Sequence, residues 1–434
     1  MAYVGDKLPL MRNDKLSVQP ESVYGQDPGV ITQDNIVPFE SGSITETPEQ
    51  IRQETVRESR TMNRKDNTIW TSEGEAECLY RGGGTNGADT GGGATAADAR
   101  PEGIHHLIKA HIGTDAELAA VTTVAGSTAT QIKLDTGGGT GRERGDLITW
   151  YDATLGKLLS RFVVSVSGDD VNVWPPLDGG DVPGAGEYVY GQVQLRQAGT
   201  KTQHPSLYVK HWDGDEIVRG FGGVLVPTMG IEVPLAEYAS FSFTLNGLRG
   251  ADPAAGSIPG GVYAPRNPNF PALGLDAFMM YYSYGREGHA GGVFPVTPLS
   301  LSVESTYELA TITALDSVNT PKRLRLGMRE VTATLEVLYD DVEIVDDFRN
   351  ADRISLIAVV GRNSYSVNAG WQPKSYNAFV LGLPQMSIDT LDMPEHEDTK
   401  KLTLGLTAEP VQYNVETQMF FDEEFTMAFL GEAG

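Results

Sequence analysis

The chain reads as a mainly β protein: an antiparallel core, one or two short flanking helices and an inserted small β domain. Three observations carry that reading. Turn formers are abundant, with 50 Gly and 24 Pro in 434 residues, above the usual share of these two residues. Segments of period two recur along the chain, as in Phe241, Phe243 and Leu245 against Ser242, Thr244 and Asn246. Helical spacing is confined to two short segments.

Residues 1–33 are polar and follow neither period, which predicts an extended N-terminal arm. Residues 34–113 read as the first part of the core. Asn35 to Ser43 forms a short strand and turn, and Thr45 to Arg60 fits either a helix capped by Thr45 or alternating polar strands. Ile69 to Arg81 is a strand with two unlike faces. Glu73, Glu75 and Glu77 fall on one side, and Gly74, Ala76, Cys78 and Tyr80 on the other. Gly82 to Gly93 is a glycine-rich loop, and the apolar positions 104, 107, 108 and 112 predict a short helix over Ile104 to Ile112.

Residues 114–194 form a separate rhythm of short strands, Gln131 to Leu134, Asp146 to Tyr151, Lys157 to Ser167, Asp170 to Trp174 and Glu187 to Gln192. Turn signals between them predict a small inserted β domain. Residues 195–434 read as the second part of the core, with strands at Leu207 to His211, Ile217 to Val226, Ala239 to Gly247, Thr297 to Glu304, Arg329 to Tyr339, Arg353 to Val360, Ala378 to Leu383 and Lys400 to Glu409. One short helix is expected near Glu343 to Asn350. The stretch 250–296 interrupts this pattern with Pro, Gly and the aromatic residues Phe270, Phe278, Tyr281, Tyr282 and Tyr284. A loop of that length is normally functional, and its aromatics predict contacts with another subunit.

The formal charge of −25, from 33 basic and 58 acidic residues, excludes a conventional nucleic-acid binder, whose affinity rests on Lys and Arg at phosphates. Lys is scarce, 12 against 21 Arg, a balance that suits a halophilic cytoplasm or an ordinary acidic protein. The single Cys78 permits no intramolecular disulfide. Neither a secretory leader nor an 18-residue apolar run is present, so synthesis in a cytoplasm without membrane insertion is expected.

The search for chemistry yields no catalytic, cofactor or metal assignment. His105, His106 and His111 lack further ligands at zinc spacing and read as satisfied or surface histidines. Glycine triplets at 82, 91 and 137 lack a phosphate-loop context, and Arg144-Gly145-Asp146 reads as a turn. Acidic runs around 340–347 and 389–398 do not follow the calcium-loop pattern. The expectation is a protein that is not an enzyme.

Three segments together resemble the tail tube proteins of long-tailed viruses of bacteria and archaea: Pro38 to Arg64 running into Ile69 to Leu79 and the helix ending at Ile112-Gly113, Glu237 to Gly247, and Arg329 to Phe348. The resemblance implies a β-sandwich or barrel core with a flanking helix, built into six-membered rings that stack into a tube. It implies as partners other copies of the chain and tape measure, terminator and tip proteins, with double-stranded DNA passing without specific binding. The protein would then reside in the virion tail. In that setting Glu73, Glu75 and Glu77 are expected to line the bore, with Thr332, Thr334 and Glu336 from a neighbouring strand. A virion decoration or sheath protein, or a carbohydrate-binding or hydrolytic β protein, are the alternatives.

Overall fold

The computed structural model describes residues 15–52, 65–82, 99–101, 103–152, 157–177, 179–197, 204–213, 217–251, 254–255, 272, 274, 277–284, 293–296, 298–313, 321–338, 343–361, 378–393, 395–396, 399–414, 419–421 and 423–431. Chain order begins with β1 (Lys15–Pro20), β2 (Ile36–Val37), the long hairpin of β3 (Phe39–Arg52) and β4 (Lys65–Leu79), then α1 (Ile104–Ile112) and β5 (Gly113–Leu118). Six shorter strands follow: β6 (Val121–Thr122), β7 (Gln131–Lys133), β8 (Leu147–Asp152), β9 (Lys157–Ser167), β10 (Asp170–Trp174) and β11 (Tyr188–Val189). Next come β12 (Gln192–Gln197), β13 (Leu207–Asp213), β14 (Ile217–Pro234), β15 (Ser240–Leu248), β16 (Ala254–Ala255), β17 (Phe278–Ser283), β18 (Val293–Val296), β19 (Pro298–Ile312) and β20 (Arg323–Leu338). The chain closes with α2 (Glu343–Asn350), β21 (Ile354–Gly361), β22 (Ala378–Asp392), β23 (Glu395–His396), β24 (Thr399–Ala408), β25 (Val411–Asn414), β26 (Met419–Phe421) and β27 (Thr426–Leu430).

Nineteen of these strands join one branched antiparallel sheet. Branching comes from two long strands that change partners midway. β14 pairs with β13 through its first half and with β15 and β19 through its second, and β22 passes from β21 and β27 to β24. The sheet curls as a sandwich or half-barrel around α1, because the helix is apolar almost all round and must be covered on every side. Ile104, Leu107, Ile108, Ala110 and Ile112 are all fully buried against it. The helix starts where only glycine fits: Gly103 has φ +58°, its N–H donates to the Asp34 carbonyl, and a Cβ there would lie 2.2 Å from the Ile36 oxygen.

Polar groups fix the orientation of α1. His111 donates from Nδ1 to the Val226 carbonyl at 2.9 Å, so its neutral Nε2 accepts from the Ser305 hydroxyl at 2.8 Å. Burial pushes His111 down to about 3 and His106 to about 4. At the other side of the helix, Asp115 of β5 meets Arg100 Nη2 at 2.9 Å, His105 Nε2 at 3.2 Å and Lys109 Nζ. Burial alone would raise the Asp115 carboxyl, but these donors outweigh it and hold the group well below the usual range.

The strands β6 to β11 make a separate sheet in the order β6-β11-β8-β9-β10-β7. A bridge between Thr123 and Leu134, with Val124 N–H donating to the Lys133 carbonyl at 2.9 Å, joins its two ends. The sheet therefore closes into a small barrel with no open edge. Its entry and exit strands, β5 and β12, lie paired in the large sheet from Gly113↔Gln197 to Leu118↔Gln192. Phe162, Trp174 and Val189 of the barrel share one apolar layer with Met280, Tyr282, Ile357, Val359 and Val380. The alternate residues Met279, Tyr281, Leu356, Ala358 and Phe379 belong to the main core.

Three sequence expectations are corrected, and the open choice at Thr45 to Arg52 is resolved in favour of strand. Residues 15–20 are not part of a free arm but a strand between β13 and β2, with Leu16, Ser17 and Val18 buried. Thr45 to Arg52 is strand, because it pairs with β4 along the whole described hairpin. The stretch 250–296 is not all loop: β17 is a central strand between β18 and β21. Its run Phe-Met-Met-Tyr-Tyr is apolar on both sides because both sides are covered, so no alternation marks it. Finally, residues 113–118 and 192–197 belong to the large sheet, and the barrel itself spans 121–189. The helices, by contrast, fall at Ile104–Ile112 and Glu343–Asn350 as the spacing predicts.

Two predictions follow from this packing. Folded-state values of about 3 for His111 and 4 for His106 lie below the unfolded value of 6.5, so the unfolded chain binds more protons between those limits. The contribution of these two groups to stability is therefore complete above pH 6.5 and is lost as pH falls through 4 toward 3. Urea titrations of His111→Gln should show an acid-side slope shallower than wild type by up to about 1.4 kcal/mol per pH unit. Replacing 121–189 by a short Gly/Ser linker uncovers five large apolar residues, each worth about 1.5–3 kcal/mol when buried. Light scattering should show that this variant aggregates, whereas a freely appended barrel would leave the remainder soluble.

Candidate functional site

Strand register assembles one wide face from β3, β4, β15, β14, β19, β20 and β24, in that lateral order. One transverse row reads Ser41, Glu77, Ser242, Gly230, Glu304, Thr332 and Thr407. The next reads Ser43, Glu75, Thr244, Thr228, Thr306 and Glu330. A third carries Ser240, Glu232, Ser302, Thr334 and Gly405, and a fourth Pro234, Ser300, Glu336 and Thr403. No Lys or Arg stands among the described residues of these rows.

The opposite parity of the same strands is the core. Ala76, Cys78, Phe241, Phe243, Met229, Ile231, Val303, Val331, Ala333 and Leu335 are all buried. Burial raises the Cys78 thiol well above its ordinary value, so it is not a reactive thiolate. Because side chains alternate strictly, packing this layer forces the carboxylates of the other parity into solvent.

Glu73, Glu75 and Glu77 are exposed on β4, as the sequence alternation implies. Ser41 donates to Glu77 Oε2 at 3.0 Å and Thr306 to Glu304 Oε1 at 3.3 Å, so hydroxyls hold the carboxylates upright without neutralising them. Thr332, Thr334 and Glu336 share the face, but β20 is not a neighbour of β4: β15, β14 and β19 stand between them. A shallow depression of about 290 Å³ lies among Ser41, Glu75, Glu77, Thr228, Ser242 and Thr244, over the missing side chain of Gly230. Sequence reasoning missed Glu232, Glu304 and Glu330. The alternation of Leu301 and Val303 with Ser302 and Glu304 carries the signal that would have found Glu304.

The aromatic candidates find their partners within the chain. Tyr281 is fully buried and donates to Asp347 Oδ2 at 2.9 Å, while Ser283 donates to Oδ1 at 2.8 Å, tying β17 to α2. Tyr282 and Tyr284 pack on Trp174 with ring centres at 4.9 and 4.8 Å, and Tyr284 donates to the Pro384 carbonyl. Phe278 is half-buried against the barrel layer. The premise that these side chains need another subunit to cover them is thus corrected, and Phe270 lies outside the described residues.

The other motifs resolve locally. Asp146 of the Arg-Gly-Asp turn is buried in a bidentate pair with Arg196, at 2.8 and 2.7 Å. His105, His106 and His111 have separate partners, and no group of three metal-ligating side chains converges among the described residues. No helix among those residues is long and apolar enough to cross a membrane.

Comparison with known proteins finds no match among curated proteins. A family model described as phage tail tube protein matches residues 12–392. That span takes in β1, the carboxylate face as far as β20, α1, the inserted barrel and all of β22. The chain therefore belongs to the phage tail tube protein family and is a structural component of the virion tail.

Proposed function

We propose that six copies of this chain form a ring, that rings stack into a tube, and that the face of Glu73, Glu75, Glu77, Glu232, Glu304, Glu330 and Glu336 lines the bore. The observation that carries this reading is the row pattern of the face, carboxylates on β4, β14, β19 and β20 with hydroxyls between them and no cation among the described residues of the four rows, Lys401 of β24 standing beyond the fourth. A conduit must not hold its cargo. DNA binds protein mainly through cations that release its counterions, so a wall of carboxylates and hydroxyls gives it nothing to adhere to. An outer wall carries no such requirement.

Ring formation suits the sheet. Among the described residues the 14-residue β3 pairs only with β4, and an exposed edge of that length is a pairing liability unless a neighbour covers it. In this reading the partners are further copies of the chain, with tape measure, terminator and tip proteins at the ends and inside the tube. The protein has no catalytic role, and duplex DNA passes without specific contacts.

Changing Glu73, Glu75 and Glu77 together to Lys tests the reading, since all three are exposed and none supports the core. Tubes should form at normal yield, while DNA release slows at low salt and recovers as salt rises, with the steep dependence of counterion release. Release at the wild-type rate in low salt, from particles that contain the variant tube, would contradict the lumen assignment.

A further inference from the structure

Along the strand direction the two ends of the carboxylate sheet differ in charge. At one end β19 and β20 run beyond their neighbours: β14 stops pairing β19 at Thr306, and β24 stops pairing β20 at Thr332. From Tyr307 to Ile312 and from Arg323 to Arg329 the two strands pair only with each other, as a projecting arm. Cross-strand pairing sets Ile312 beside Arg323 and Ala310 beside Arg325, so these four share one side of the arm. Ile312 is 43% exposed, and Met328 on the same arm is 81% exposed. The arm is held in place from its own chain, because the Tyr24 hydroxyl accepts the Leu324 N–H at 2.9 Å and the Arg323 guanidinium lies 5.5 Å over the Tyr24 ring.

At the other end, the turn joining β14 to β15 presents Leu235, Ala236, Glu237 and Tyr238, all exposed, with Leu235 at 43% and Tyr238 at 40%. Glu232 stands next to this turn on β14, and Glu336 and Asp392 occupy the same end of β20 and β22. The arm therefore carries Arg323 and Arg325 with exposed Glu308 beside its apolar residues, and the turn at the opposite end carries Glu237 with an aromatic ring, Lys401 standing farther along that end on β24. The two cannot meet within one chain, since they lie at opposite ends of the same strands.

From this complementarity we propose that the β19–β20 arm of one copy docks on the β14–β15 turn of a second copy, head to tail, with Arg325 facing Glu237 and Ile312 against Leu235 and Tyr238. The inference rests on the tube reading and deepens it by assigning the axial contact. A heterologous contact of this kind propagates without closing, which is what a growing tube needs. Opposite charges at the two ends also set polarity, because a reversed copy would bring arm to arm or turn to turn.

Charge reversal tests the pairing with all variants folded. Arg325→Glu and Glu237→Arg alter exposed side chains, so thermal melts should match wild type. Each single variant should raise the critical concentration for tube formation about tenfold, and the double variant should restore it, as expected for a direct charge pair. Single variants that assemble like wild type, or a double variant no better than either single one, would overturn the axial assignment while leaving the tube reading intact. A wild-type protein that forms no tubes under any salt condition would instead remove the tube reading, and the axial contact with it.

Discussion

Strict alternation of side chains on six core strands is the constraint on which the rest of the structure depends. Cys78, Phe241, Ile231, Val303, Ala333 and Leu406 must be buried together to hold the sheet on α1. That packing leaves no choice for the residues between them. Glu77, Ser242, Glu304 and Thr332 must face water, and slipping a strand by one residue would exchange its polar row for its apolar one, burying Glu77 for Cys78 on β4 or exposing Phe241 for Ser242 on β15. The apolar layer therefore fixes the anionic face, and the bore surface proposed here would inherit the rigidity of the core behind it.

The back of that core is closed by polar devices that tolerate no freedom either. His111 spans from α1 to both β14 and β19 behind Glu304, and its neutral state is held by burial. Asp115 gathers Arg100, His105 and Lys109 near the start of β5, the strand whose far end at Leu118 leads into the inserted barrel. A buried carboxylate with one donor removed would be strongly destabilised, so this cluster locks helix, stem and barrel into one register. The barrel in turn covers β17, β21 and β22, which makes it part of the packed fold rather than an ornament on it.

Where one side of an element was wet, the sequence was legible. Alternation located β4 with its glutamates and β15 with its phenylalanines, and helical spacing located α1 to the residue. Where both sides are dry, periodicity vanishes, and β17 reads as loop because Phe278 to Tyr282 shows no contrast between its faces. β1 escaped for a different reason: Ser17 and Gln19 alternate with Leu16 and Val18, yet six residues beside a polar segment give too short a pattern to separate strand from arm. The acidity of β4 was visible, but its extension through Glu232 and Glu304 to Glu330 depends on the pairing order of distant strands. Sequence spacing carries no record of that order, which is why it sets β20 beside β4 when three strands stand between them.

A cryo-EM reconstruction of assembled tubes at side-chain resolution tests the central claim most directly, by locating β4 relative to the bore. The account predicts Glu75, Glu77 and Glu304 on the inner wall, with Cys78 and Phe241 behind them and the barrel of residues 121–189 at larger radius. A map that places the Glu75 face on the outside of the tube, with a different surface around the bore, would contradict it.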